Sequence, residues 1–296
     1  MTQKTKKVQV DKLLFIIIAL FPLFSHLLLF WLTSQLNGIK MAFTSSEGTF
    51  SLEAFKQVFK IFGSESNDLK IGFENTMKYF LLGIGMTPVG LFAAYLVYKK
   101  VFLSKAIRVI LMLPGMISSV MMAMLFQQFI MSNGPFVKFC SEVMHIQLPL
   151  PLLVERGTAT IMAYGIWFGL GGSLPLWFGA MNRIPNDIIE YASLDGVGPF
   201  KEFTHIIIPL IWPTFVTQIT FQLIGIFGAS GNVLLFTEGK YNTWTLSYWI
   251  YNAAWKGRES LYPVALALGI CMSIATVPIV VFGRWFMNKF GQEIQY

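Results

Sequence analysis

Six stretches of this chain are each long and apolar enough to cross a bilayer as a helix, and a water-soluble fold has no way to hide so many. A hydrocarbon core about 30 Å thick needs roughly 20 apolar residues, because each helical residue advances about 1.5 Å. Residues 13–32, 77–98, 109–131, 158–181, 210–236 and 263–287 meet that length. Only 12% of the 296 residues are charged, against roughly 25% in an ordinary soluble domain, so a charged outer shell is lacking. The expected class is an all-α integral membrane protein with six transmembrane helices. The first run follows Lys4, Lys6, Lys7 and Lys12 as in a signal peptide, but it is too long and lacks a small-residue cleavage site, so it reads as an uncleaved anchor.

Lysine and arginine set the expected orientation, since they concentrate on the cytoplasmic side. The tail, residues 1–12, carries four lysines, and Lys99, Lys100, Lys105 and Arg108 crowd the short connection after the second run. Both should be cytoplasmic. The loop at about 33–76 is then external; its Lys40, Lys56, Lys60 and Lys70 are spread over a longer segment, with an amphipathic piece near 52–62. Residues 13–288 form the expected membrane domain. The loop at about 182–209 and the tail at 289–296 lie inside, with Arg284 and Lys289 at the margin. Neither an internal repeat nor a low-complexity segment is visible.

Much chemistry is excluded. The net charge of +7 is scattered between apolar runs and forms no nucleic-acid stripe. His26, His145 and His205 sit on separate segments, as do Cys140 and Cys271, so neither a metal site nor a disulfide is expected. The chain has no GxxxxGK[ST] phosphate loop and no GxSxG elbow, and no paired carboxylates stand ready for acid–base work. It is therefore not expected to be catalytic, and energy, if needed, must come from a partner. Buried acids for a proton relay are missing, although sodium coupling through backbone carbonyls stays open. His26 alone lies deep in a run, where a bond to a neighbouring helix accounts for it. Within the runs, Tyr164, Trp167 and Trp177 either stack on a sugar ring or face lipid. Gly225, Gly228 and Gly231, with Ser230 and Asn232, either line a gated polar path or serve helix packing.

The odd polar piece is residues 190–213, EYASLDGVGPFKEFTHIIIPLIWP. Pro185-Asn186-Asp187 signals a helix start with Asn186 or Asp187 as cap, and Gly196 suits a left-handed helix end. Pro199 opens a second short helix through Thr204. Two helices across a glycine turn make a rigid knob.

Glu190, Ala192, Asp195, Gly196, Phe203, Ile206, Pro209 and Pro213 resemble the EAA loop of ABC importer permeases, with Tyr191 replacing the usual first alanine. Leu113-Pro114 with residues 118–126, Asn75-Thr76, and residues 221–255 are similar to the carbohydrate-type permeases related to the maltose transporter. The last of these departs from the usual Leu-Thr-x-Gly-Gly-Pro, having Phe236-Thr237-Glu238-Gly239-Lys240-Tyr241. The resemblance implies a type I importer permease fold in a bacterial cell membrane, with both termini cytoplasmic. It implies a second related permease, two cytoplasmic ATPases that hold ATP and Mg, and an extracellular solute-binding protein that delivers a sugar. This chain itself would bind no cofactor. Glu190, Ala192, Asp195, Gly196 and Phe203 are the expected ATPase-coupling residues; Tyr164, Trp167, Trp177, Ser230 and Asn232 are the expected substrate path. A secondary carrier and a membrane enzyme are the rival classes.

Overall fold

The computed structural model describes residues 2–45, 48–64, 68–230, 232–256 and 261–291. Among these, regular structure is helical throughout, apart from an isolated bridge between Thr44 and Phe50. Four helices are long and apolar enough to span a membrane, and two bent helix pairs complete the six if each pair is one crossing.

Helix α1 (Thr2–His26) passes through a π-helical turn, Leu27–Leu32, into α2 (Thr33–Ala42). The first crossing therefore runs on to Ala42 and not merely to residue 32. Ser34 Oγ donates back to the Phe30 carbonyl at 2.6 Å, so the polar residues beyond the apolar run continue the helix without stranding backbone groups. The amphipathic piece is α3 (Glu53–Phe62), which buries Ala54 and Val58. Helix α4 (Asp68–Tyr98) begins well before residue 77 and continues through Pro88.

The third run is not one straight rod. α5 (Ser104–Met116) and α6 (Ser119–Ile130) are separated by Ile117 in extended conformation, ψ 148°, and residues 104–116 are bent by 111° against residues 119–142. Short helices α7 (Pro135–Glu142) and α8 (Leu152–Glu155) lead into the fourth crossing, α9 (Gly157–Met181). The loop follows as α10 (Asn186–Leu194) and α11 (Pro199–Glu202), then a π turn at Phe203–Ile207 and α12 (Ile208–Leu210). The second loop helix thus reaches past Thr204.

The second bent pair is residues 199–210 with residues 212–224, at 74°, and run 210–236 is interrupted again beyond it. α13 (Trp212–Ile224), with Pro213 in its first turn where a missing N–H costs nothing, stops at Gly225. Turns at Gly225 and Gly228 follow, and then α14 (Val233–Phe236). Gly231 lies outside the described residues. α15 (Leu246–Trp255) and α16 (Tyr262–Phe290) complete the order.

Contacts divide the chain into two compact units. The first holds residues 1–63 and 253–271, and in it Phe43 stacks on Phe50 and tilts against Phe55. Its long apolar helix is bare, with Phe15, Phe21, Leu23 and Phe30 each more than half exposed, as suits a surface covered by lipid. The second unit holds residues 64–252 and 272–296. Here α9 packs along α4 and α5 and the core gathers Leu91, Ala94, Tyr95, Leu174, Trp177 and Met181. At Gly171 the two backbones come so close that a Cβ would sit 1.7 Å from the Leu111 carbonyl oxygen. At the other end of α4, Asn75 Nδ2 donates to the carbonyls of Asn242 (2.8 Å) and Trp244 (3.0 Å). Thr76 Oγ1 accepts from the Leu246 amide at 3.0 Å, so Asn75-Thr76 fastens α4 to the segment before α15.

Candidate functional site

Residues 186–207 build a knob whose inner and outer faces do different things. α10 opens after Pro185, and neither Asn186 nor Asp187 caps it with a side chain; the expected cap does not form. Its C-terminus does close as anticipated. Gly196 has φ +72°, the Gly196 amide donates to Ser193 O (3.1 Å) and the Val197 amide donates to Ala192 O (3.0 Å). That double bond pattern needs a residue in the left-handed region, where glycine carries no penalty.

The outer face presents Tyr191, Leu194 and Phe200, which are 69%, 82% and 75% exposed, beside the exposed acids Glu190 and Asp195. Tyr191 points away from the protein, so it needs no packing space. Ala192 and Phe203 belong to the inner face: they are 6% and 9% exposed, and the Phe203 ring lies 4.9 Å from Tyr95 and 5.5 Å from Phe92. Both are buried against the rest of the chain and anchor the knob to it.

Glu202 was not singled out in the sequence, yet it is the buried acid of this region. Lys99 Nζ donates to its Oε2 at 2.9 Å. The Tyr95 hydroxyl lies 3.3 Å from its Oε1 and 3.0 Å from the Pro199 carbonyl. A carboxylate can be held away from water when a cation and a hydroxyl replace its hydration, and here the result ties α11 to the end of α4.

Inside the second unit lies a cleft of about 470 Å³ between α4, α9 and α13. Gly165, Gly169 and Gly172 keep one wall open, and Tyr79, Thr87, Trp177, Gln218, Gln222 and Ser230 supply its polar atoms. Gln222 Nε2 donates to Thr87 Oγ1 at 2.7 Å. Three buried polar atoms on this lining, Tyr79 Oη, Trp177 Nε1 and Gln222 Oε1, have no hydrogen-bond partner. Such groups cost free energy unless something visits them. Of the expected path residues, only Trp177 and Ser230 line the cleft. Tyr164 is buried in a separate ring cluster with Phe126 and Phe236, Trp167 is 41% exposed, and Asn232 precedes α14 with φ +59°. Gln218 and Gln222, four apart in an apolar run, were the available signal, since that spacing puts both on one helix face.

Among the described residues no cluster of His, Cys, Asp and Glu could hold a metal ion. The family model for the binding-protein-dependent transport system inner membrane component matches residues 86–296. This chain belongs to that family. The permease is 25% identical over 199 residues to the probable starch degradation products transport system permease protein AmyD of Thermoanaerobacterium thermosulfurigenes, covering 65% of this chain and 66% of that protein. It is 25% identical over 218 residues to the lactose transport system permease protein LacF of Rhizobium radiobacter, covering 71% and 73%. The crystal structure of a bacterial ABC transporter involved in the import of the acidic polysaccharide alginate superposes with TM-score 0.81 at 23% identity, over 98% of this chain and 100% of that one. The importer permease fold is therefore this chain's fold. Its family is one of transport components, not of enzymes.

Proposed function

We propose that this permease forms half of the translocation path of an ATP-driven importer for a sugar or oligosaccharide. A second related permease completes the path, two cytoplasmic ATPases that bind ATP and Mg drive it, and an extracellular binding protein delivers the cargo. The permease sits in a bacterial cell membrane with both termini inside. The observation that carries the reading is the knob: an exposed face of Tyr191, Leu194 and Phe200 flanked by Glu190 and Asp195, fixed to α4 through Phe203 and Glu202. A partner that closes on ATP would grip that face, and the buried anchors would pass the movement to the crossings. Gly196 holds the turn between the two knob helices.

The saccharide class is supported by the named cargoes of AmyD, LacF and the alginate transporter, together with the cleft. Sugar hydroxyls both donate and accept, which answers the unpartnered Tyr79 Oη, Trp177 Nε1 and Gln222 Oε1. The test is uptake of labelled saccharides into proteoliposomes holding the assembled complex, with binding protein outside and ATP inside. Uptake should need both. Uptake that survives ATP depletion and collapses with an ionophore would instead make this a secondary carrier.

A further inference from the structure

A second cleft lies at the end of α4 beside the start of α5, and its chemistry differs from that of the translocation path. It measures about 750 Å³ and is lined by Lys99, Lys100, Lys105, Arg108, Asn182 and Asn186 among others. Lys99 is committed to Glu202. Among the described residues no carboxylate comes within ion-pair distance of Lys100, Lys105 or Arg108. Arg108 stands over the Phe178 ring at 5.0 Å, which fixes its guanidinium without neutralising it.

The local backbone compounds the positive charge. α5 opens after Leu103 with φ +65°, has no side-chain cap and no acid in its first turn, and carries Lys105 there instead. Cations at a helix N-terminus oppose the helix dipole, whose positive end favours an anion. α10 also begins at this cleft, with Asn186 in the lining. Like charges and two helix starts therefore converge on one concavity.

Exposed apolar side chains adjoin the basic lining along the chain: Leu103, itself in the lining, is 59% exposed, its neighbour Phe102 89%, and Val109 and Ile110, next to Arg108, 61% and 64%. A site that is cationic within and apolar at its edge matches a molecule that is anionic at one end and hydrocarbon at the other. We propose that this cleft binds the headgroup of an anionic phospholipid, with Lys100, Lys105 and Arg108 on the phosphate and the acyl chains along Phe102, Val109 and Ile110. Basic pockets between membrane helices are suited to such headgroups. The proposal rests on the chain spanning a membrane and not on what it transports, so failure of the sugar reading would leave it standing. Because Asn186 and Ile189 of α10 share the lining, the lipid would lie against the knob's first helix.

The test uses the assembled complex stripped of lipid in neutral detergent, with retained lipid counted by native mass spectrometry. Phosphatidylglycerol is the probe, against phosphatidylcholine and inorganic phosphate. The wild type should retain phosphatidylglycerol in preference to phosphatidylcholine. Affinity should fall roughly five-fold for each charge removed in Lys100→Gln, Lys105→Gln and Arg108→Gln, following the usual contribution of one basic residue near an anionic surface. Lys100→Arg with Lys105→Arg should retain the wild-type affinity. All three side chains are exposed, and the single Lys105→Gln carries the comparison if the triple variant does not assemble. Equal retention by wild type and the Gln variants overturns the proposal, as does equal retention of phosphatidylcholine or displacement by inorganic phosphate at matched concentration. Loss of the ATPase subunits from the Gln variants with phosphatidylglycerol unchanged would assign the cleft to protein docking, and also overturns it.

Discussion

Lys99 Nζ and Glu202 Oε2 meet at 2.9 Å, but the two sides of the pair are unequally buried: the lysine side chain is 31% exposed and the glutamate side chain 4%. The inequality fixes which partner can be lost more cheaply. Lys99→Ala strands a buried carboxylate and should cost on the order of 3 kcal/mol. Glu202→Gln leaves an ammonium that can turn to water and keeps an oxygen near Tyr95, so it should cost on the order of 1 kcal/mol. Thermal unfolding of the purified complex checks the order, and a reversed ranking would mean that the pair is not held as described.

At Gly171 the backbone of α9 closes on that of α5. A methyl group there would sit 1.7 Å from the Leu111 carbonyl oxygen, a backbone atom that cannot swing aside. Gly171→Ala should destabilise the permease by about 1–3 kcal/mol or more, the usual cost of overpacking. Gly179→Ala on the same helix has nothing within 4 Å and should be neutral or slightly stabilising, because alanine restricts the unfolded chain. Melting temperatures of the two variants give the comparison.

The sequence and the fold agree where a local rule is enough. Uninterrupted apolar length located α4, α9 and α16, and a polar island among apolar runs located the knob with its Gly196 turn. Local rules failed where the outcome depended on partners distant in sequence. Glu202 carries no local signal, because nothing near it announces Lys99, more than a hundred residues earlier. Trp177 reads as a sugar-stacking or lipid-facing ring, whereas it is buried in one cluster with Leu91, Ala94 and Tyr95 of α4 and lies against Phe215 of α13. The breaks at Ile117 and Gly225 lie inside runs whose hydropathy is continuous, so length alone merged each pair of pieces. Hydropathy also ended the first crossing at residue 32, while backbone hydrogen bonding carried the helix to Ala42.

Gly196 holds φ +72° with nothing within 4 Å of a Cβ, so any substitution there is penalised by backbone conformation and not by crowding. Gly196→Ala should cost about 1–2 kcal/mol, the usual penalty of a left-handed alanine, and Gly196→Asn less. On the proposed mechanism, Gly196→Asp should leave the complex assembled in the membrane and hydrolysing ATP while uptake falls. Parallel measurement of hydrolysis and uptake in proteoliposomes distinguishes this from loss of assembly. Normal uptake by Gly196→Asp would remove the knob from the coupling path.

Trp177 separates cargo contact from packing. Its side chain is 0% exposed and its Nε1 has no hydrogen-bond partner, so Trp177→Phe removes an unpaired buried donor while keeping an aromatic ring. The small cavity left behind and the relief of the unpaired N–H oppose each other, and stability should stay within about 1 kcal/mol of the wild type. If the indole N–H serves a sugar hydroxyl, uptake should nevertheless fall several-fold, on the order of the 1 kcal/mol that one hydrogen bond contributes. Gln222→Leu should lower uptake further, because it removes the unpaired Oε1 and also the bond to Thr87 at 2.7 Å. Uptake kinetics and melting curves on the same preparations decide between the two roles. A Trp177→Phe variant that transports normally would take the indole N–H out of the path, and one that unfolds early would make Trp177 a packing residue alone.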